Sequence, residues 1–104
     1  YFRTLGIRYP ADLSRDGGDF FAIKTVLEYL APARFDDQLQ IGIRVARLGR
    51  SSLSFAMGIW CGEQALTAGE VIYVHADSTN RSSSPLPRWL REKILAFERC
   101  APQQ

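Results

Sequence analysis

The segments LQIGIRV (residues 39–45) and LSFAMGI (residues 53–59) decide the fold, because apolar residues alternate with small or polar ones along both. Such alternation is typical of β-strands that turn one apolar face towards a core. The tripeptide LGR (48–50) between them suits a tight turn, since Gly49 is free to adopt a positive φ. The two strands are therefore predicted to be antiparallel neighbours.

Two further strands are predicted on either side of this hairpin. Residues 20–30 are rich in Phe, Ile, Thr, Val and Tyr, and Pro32 provides turn chemistry directly after them. A turn at 61–64 leads into residues 65–77, whose run VIYV (71–74) is apolar at every position. A run of that kind indicates a strand that is central in the sheet or covered on both faces.

Pro85 and Pro87 are predicted to open a C-terminal helix, because proline favours the first positions of a helix. Its apolar residues recur at the spacing of one helix face. They are Leu86, Leu90, Ile94 and Phe97. We expect this helix to pack on the sheet or on its rim.

The opening residues 1–6 have the pattern of a last helical turn closed by Gly6. We therefore expect the sequence to begin partway through its fold. Residues 7–19 are predicted to form a connecting loop. Four antiparallel strands and two helical segments place the chain in the α+β class, with an apolar sheet face that the first helix covers.

Composition predicts one globular domain over residues 1–104. Thirteen basic and eleven acidic residues give a net charge of +2, which is too small to favour nucleic acid. No apolar run approaches the ~20 residues of a membrane-spanning helix, and no signal-peptide pattern is present, so a cytoplasmic protein is predicted. Cys61 and Cys100 lack the paired spacing of a metal site. Free thiols are expected, with neither a metal nor another cofactor.

The stretches EYLAPARFDD (28–37) and VARLGRSSLSF (45–55) resemble the hotdog-fold acyl-CoA thioesterases of the 4-hydroxybenzoyl-CoA thioesterase family. The stretch PLPRWLR (85–91) is similar to the ending of that family, and the resemblance covers residues 1 to about 95. It implies a hotdog fold, in which an antiparallel sheet wraps around a central helix. It also implies a homodimer or homotetramer that binds acyl-CoA between two chains.

The resemblance places the catalytic carboxylate on a turn upstream of Tyr1, so that only the tail of the central helix is expected here. No catalytic residue is therefore assigned in this chain. Thioester hydrolysis needs a carboxylate as nucleophile or as activator of water. Asp36 and Asp37 suit a turn and Glu28 lies on a predicted strand, so all three are interpreted as structural.

The phosphates of CoA require cations, and arginine donates to phosphate through a fixed fork of N–H groups. Arg44, Arg47 and Arg50 lie at or near the turn of the first predicted hairpin. Ser51 and Ser52 add hydroxyl and backbone donors. Arg47, Arg50, Ser51 and Ser52 are the predicted substrate-binding residues. The alternative is that these arginines keep a strand edge soluble and unpaired.

Other chemically active residues receive structural interpretations. Arg81 and Arg88 are expected to be solvated, and the single histidine, His75, is expected to end a strand without a catalytic partner. The large aromatic residues are expected in the core or at an interface. They are Tyr29, Trp60, Tyr73 and Trp89.

Two functions from different classes remain open. The first is an acyl-CoA thioesterase, and the second is a non-catalytic hotdog module that binds acyl-CoA or serves in assembly. Nucleic-acid binding through the arginine patch ranks last, because the net charge is small.

Overall fold

A computed structural model describes residues 1–14 and 17–104 of the chain. It begins with a 3₁₀ helix, Phe2–Leu5, which Gly6 closes in the left-handed conformation at φ 78°. The remaining elements are α1 (Ala11–Ser14), β1 (Gly18–Tyr29), β2 (Gln40–Leu48), β3 (Ser52–Cys61), β4 (Gln64–Asp77) and α2 (Arg88–Phe97). The prediction that Gly6 closes the helical turn at residues 1–6 is confirmed.

The four strands form one antiparallel sheet in the order β1-β4-β3-β2. The β2–β3 hairpin is paired as its alternation predicts, with Val45 opposite Phe55 and Leu48 opposite Leu53. β4 lies between β1 and β3, as the apolar run at 71–74 indicates for a central strand. The predicted α+β class and hotdog arrangement are confirmed.

Two local predictions are corrected. The loop predicted at 7–19 contains the short helix α1, and β1 already begins at Gly18. Residues 15 and 16 of that loop lie outside the described residues. Gly49 does not adopt a positive φ, since the glycines with positive φ are Gly6, Gly17 and Gly62. The three residues 49–51 between β2 and β3 turn the chain without a left-handed glycine.

The core forms where α2 packs on the β2–β3 hairpin. Leu90 and Ile94 of α2 are fully buried, together with Leu48 and Leu53 of the hairpin. Leu86 joins the same core from the segment that precedes the helix. Leu90 and Ile94 confirm the predicted apolar face of α2, but the helix begins only at Arg88, so Leu86 lies before it. Phe97, in the last turn, is 45% exposed.

The apolar face predicted for β2 is buried only near the hairpin turn. Val45 is fully buried, whereas Ile41 is 74% exposed and Leu39 and Ile43 are also exposed. Alternation correctly indicates that these side chains share a face, but it does not indicate how much of that face is covered. The prediction of a dry face over residues 39–43 is therefore wrong for the described residues.

Trp60 covers the opposite face of the hairpin. A Cβ atom added at Gly58 would lie 2.4 Å from the Trp60 ring, and one at Gly42 would lie 3.0 Å from it. The two glycines therefore leave the space that the indole fills. Trp60 is 38% exposed, so its predicted place in a core or interface is not a fully buried one. Within the described ranges, no helix is long and apolar enough to cross a membrane.

We predict that Leu90→Ala lowers the free energy of unfolding by about 2–5 kcal/mol, because it leaves a cavity in a fully buried site. Leu95→Ala is the matched control, since Leu95 lies on the same helix and is partly exposed. We expect this control to cost less than about 1 kcal/mol. Urea unfolding followed by circular dichroism measures both. Equal losses for the two variants would contradict the described packing of α2.

Candidate functional site

The predicted substrate-binding residues gather around the β2–β3 loop, residues 49–51, at one end of the sheet. Arg50 is exposed at the loop itself, and Ser51 and Ser52 beside it are half-buried. The start of β1 and the end of β4 lie at this same end, because Gly18 pairs with Asp77 and Ser52 pairs with Val74. Arg50, Ser51 and Ser52, which are consecutive in the sequence, thus lie beside the start of β1 and the end of β4.

Arg47 and Arg44 lie on β2, which leads into this loop. Both side chains are exposed. The pairing of β2 with β3 shifts between Val45 and Arg47, so a bulge immediately precedes Arg47. The outer edge of β2 is bonded here to the C-terminal residues, since the N–H of Leu48 donates to the carbonyl of Gln103 at 2.7 Å. Arg47 is thus held on a strand that has a partner on both sides.

Each of the three loop carbonyls accepts a hydrogen bond from another part of the fold. The Arg91 guanidinium donates to the carbonyl of Gly49. The N–H of Leu86 donates to the carbonyl of Arg50 at 2.8 Å, and the N–H of His75 donates to the carbonyl of Ser51 at 2.7 Å. The loop is therefore fixed from its inner side by β4, α2 and the segment between them.

The direction of these carbonyls sets the direction of the loop's N–H groups. In a trans peptide the N–H points opposite to the preceding C=O. Because the carbonyls of Gly49 and Arg50 point inward, the N–H groups of Arg50 and Ser51 point away from their anchors. Within residues 1–14 and 17–104, neither N–H donates to another residue. Two adjacent free donors beside arginine side chains form an arrangement suited to an anion.

The Ser52 hydroxyl occupies the inner space of the turn. A Cβ atom at Gly49 would lie 2.3 Å from the Ser52 Oγ, so glycine leaves room for this hydroxyl. The N–H of Gly49 donates to the carbonyl of Ser52 at 2.9 Å and closes the turn. The requirement for glycine at position 49 is therefore one of space and not one of positive φ.

The two arginines expected to be solvated have other contacts. Arg88 is 92% exposed and its Nε donates to Glu92 at 3.1 Å, an ion pair across one helical turn. The guanidinium of Arg81 lies 5.8 Å from the centre of the Phe21 ring. Neither contact involves the β2–β3 loop.

His75 is buried, and its Nδ1 lies 3.0 Å from the hydroxyl of Ser84. The spacing in the sequence did not indicate this partner, because the two residues are joined by a loop that doubles back along β4. The Nε2 atom packs against Gly18, where a Cβ atom would lie only 2.2 Å away. The ring is buried between Gly18 and Ser84, and the structural role of His75 stays a prediction.

The carboxylates of the β1–β2 connection lie far from the β2–β3 loop. Asp37 accepts a hydrogen bond from the N–H of Arg34 at 2.7 Å, and Asp36 has a positive φ of 66°, so both shape a local turn. This turn lies at the other end of the sheet, about 30 Å away, because ten residues of β3 separate the ends at about 3.3 Å each. Glu28 is exposed near that same end.

Glu98 is a carboxylate that the sequence analysis did not single out. Its Oε1 accepts a hydrogen bond from the N–H of Val45 at 2.9 Å, which satisfies a donor on the outer edge of β2. The pKa of the Tyr1 hydroxyl is raised above its usual value, mainly by burial and to a smaller extent by the charge of Glu98. These contacts tie the end of α2 to β2 and to the first residue. The sequence pattern could not predict the hydrogen bond between Glu98 and Val45, because 53 residues separate them.

An apolar groove of about 510 Å³ lies at the end of the sheet opposite the β2–β3 loop. Its lining comes from the end of β1, the following loop and the facing parts of β3 and β4. It includes Tyr29, Leu30, Leu39, Ile59 and Leu66. The groove is lined mainly by apolar side chains, whereas the β2–β3 loop carries exposed arginine and backbone N–H groups. No three His, Cys, Asp or Glu residues converge as metal ligands in the described part of the chain.

A sequence model of the Thioesterase superfamily matches residues 1–68, and the chain belongs to this superfamily. A comparison with curated proteins finds no match. Among solved structures, a thioesterase from Thermus thermophilus complexed with coenzyme A and Zn is 26% identical, with a TM-score of 0.71. The match covers 91% of this chain and 68% of that one.

Two other solved structures share the fold at lower identity. Slr0204 from Synechocystis, a 1,4-dihydroxy-2-naphthoyl-CoA thioesterase, is 16% identical with a TM-score of 0.81, and the match covers 92% of this chain and 72% of that one. YbaW from Escherichia coli, a probable thioesterase, is 20% identical with a TM-score of 0.72. The match covers 88% of this chain and 71% of that one.

Proposed function

We propose that this protein is an acyl-CoA thioesterase, which hydrolyses the thioester of an acyl-CoA to a free acid and CoA. The observation that carries the proposal is the β2–β3 loop, where Arg47 and Arg50 accompany two outward N–H donors. Membership of the Thioesterase superfamily supplies the class of reaction. The related thioesterase that was solved with coenzyme A supports CoA as the ligand.

The phosphates of CoA would provide hydrogen-bond acceptors for the free N–H groups of this loop. An anion at the loop would accept hydrogen bonds from the N–H groups of Arg50 and Ser51 and from the Arg50 guanidinium. Hydrogen bonds in which a partner is charged are about twice as strong as neutral ones. Arg47 and Arg50 are exposed, so phosphate reaches them without rearrangement of the core. Screening by salt weakens such exposed contacts, and the affinity for CoA should fall as ionic strength rises.

We predict that Arg50→Glu weakens CoA binding at least about tenfold, because a cation and its hydrogen bonds to phosphate are replaced by a repelling carboxylate. Arg34→Glu is the matched control: it makes the same change of charge on an exposed loop at the other end of the sheet. Titration calorimetry with CoA measures both variants. An unchanged affinity in Arg50→Glu would return Arg50 to the role of a solvated edge residue.

We predict that the full-length protein, with the catalytic carboxylate that the family resemblance places upstream of Tyr1, releases free thiol from acyl-CoA. Short-chain, long-chain and aromatic acyl-CoAs are incubated with the folded protein, and the thiol is followed with a chromogenic disulfide reagent. Release above the uncatalysed rate supports the thioesterase. CoA binding without any release would instead identify a non-catalytic module that binds acyl-CoA.

We further propose that the protein forms a homodimer through the outer edge of β1. Among the described residues no strand pairs with this edge, and apolar side chains are exposed along it. These are Ile23, Val26, Leu27 and Tyr29. Open edges invite pairing with another strand, and a second copy satisfies the free backbone groups. The edge of β2, by contrast, is partly covered by Gln103 and Glu98.

The substitution Leu27→Lys is predicted to convert this dimer into a monomer, since it places a charge at the centre of the paired segment. Ile41→Lys changes an exposed apolar residue on the other outer strand and is expected to leave the dimer intact. Light scattering after size exclusion gives the molar mass, where the dimer is twice 11.7 kDa. Equal masses for the two variants would contradict pairing through β1.

A cytoplasmic location is also part of the proposal. Both cysteines, Cys61 and Cys100, are free thiols. Free thiols are typical of proteins in a reducing compartment. Acyl-CoA as substrate is consistent with the same location.

A further inference from the structure

We infer that Arg91 of α2 is a positioning residue for CoA, which holds the β2–β3 loop in the orientation that binds phosphate. This inference rests on the proposed function, because it assumes that the loop binds the phosphates of CoA. Arg91 itself points inward and donates to the carbonyl of Gly49. It acts on the ligand through the loop and does not contact phosphate.

The contact of Arg91 joins two parts of the chain that are 42 residues apart. Its side chain is half-buried, in contrast to Arg88 on the same helix. A hydrogen bond to a charged donor is among the stronger ones, and partial burial protects it from competition by water. The bond therefore links the position of α2 to the conformation of the loop.

The orientation of one peptide group depends on this bond. The Gly49 carbonyl and the Arg50 N–H belong to the same trans peptide, so holding the carbonyl inward holds the N–H outward. Gly49 lacks a Cβ atom, and glycine has a wide choice of backbone conformations. Without a partner for its carbonyl, this peptide is free to rotate and to turn the Arg50 N–H away from an anion.

The second anchor comes from the same region of the chain. The N–H of Leu86 holds the Arg50 carbonyl at 2.8 Å, which turns the Ser51 N–H outward. Leu86 is itself fixed, since its side chain is buried in the core with Leu90 and Ile94. Arg91 and Leu86 together fix two consecutive peptides. Arg91 is the member of this pair that can be changed without altering the core.

The test compares Arg91→Met with Arg88→Met. Both remove one positive charge from the first half of α2, but the Arg88 guanidinium is 92% exposed and pairs with Glu92. We expect Arg91→Met to weaken binding of CoA about tenfold in titration calorimetry, and Arg88→Met to change it less than about twofold. Arg91→Lys, which keeps a charged donor, is expected to recover part of the affinity. Thermal unfolding verifies that each variant is folded.

A purely structural role is distinguished by the substrate. In the thiol-release assay, Arg91→Met should raise the KM for an acyl-CoA and leave kcat unchanged. The KM for the corresponding acyl-pantetheine, which lacks the phosphates, should not change. If KM rises equally for both substrates, or if the two methionine variants bind CoA equally, the positioning role is refuted and the proposed function stands. If the unaltered protein binds no CoA, the proposed function fails and the inference fails with it.

Discussion

The packing of α2 against the β2–β3 hairpin is the interaction on which the rest of the structure depends. It buries Leu90 and Ile94 of the helix with Leu48 and Leu53 of the hairpin, and all four side chains are almost completely inaccessible. Full burial of one such side chain stabilises a fold by roughly 1.5–3 kcal/mol. The same packing places the helix beside the turn, which determines the surface that the turn presents.

The candidate site follows from that contact. The carbonyls of Gly49 and Arg50 are bonded inward, and the geometry of the trans peptide directs the N–H groups of Arg50 and Ser51 outward. The arginine side chains need only lie close to the loop, since an exposed side chain can change its rotamer to contact an anion. Backbone donors provide the direction, and the arginines provide the charge. The proposed site therefore needs only a local concentration of positive charge, which is compatible with a net charge of +2.

Local pattern in the sequence predicted the strands, because alternation and helical spacing are properties of neighbouring residues. It identified the hairpin, the central position of β4, and the buried positions Leu90 and Ile94. The local pattern could not predict which parts of the apolar sheet face are covered by other elements. Ile41 continues the alternation of Val45, yet Val45 lies in the buried core and Ile41 is 74% exposed.

The contacts that shape the site were beyond the sequence for a related reason. Arg91 and Gly49 are 42 residues apart, and the N–H of Leu86 reaches the carbonyl of Arg50 from a similarly distant part of the sequence. Neither pair leaves a mark in local spacing. Arg50 and Ser51 could be proposed from the sequence because arginine and serine at a turn are donors that suit phosphate, and their role stays a prediction. Sequence thus located the loop, whereas its orientation required the fold.

The most direct test of the central claim is a nuclear magnetic resonance titration of the ¹⁵N-labelled protein with 3′,5′-ADP, which carries phosphates of CoA without the thiol arm. The account predicts the largest shifts at the amides of Arg50 and Ser51, which point outward. The amides of residues 31–38, at the opposite end of the sheet, should remain in place. Shifts centred on residues 31–38, with the β2–β3 loop unchanged, would contradict the account.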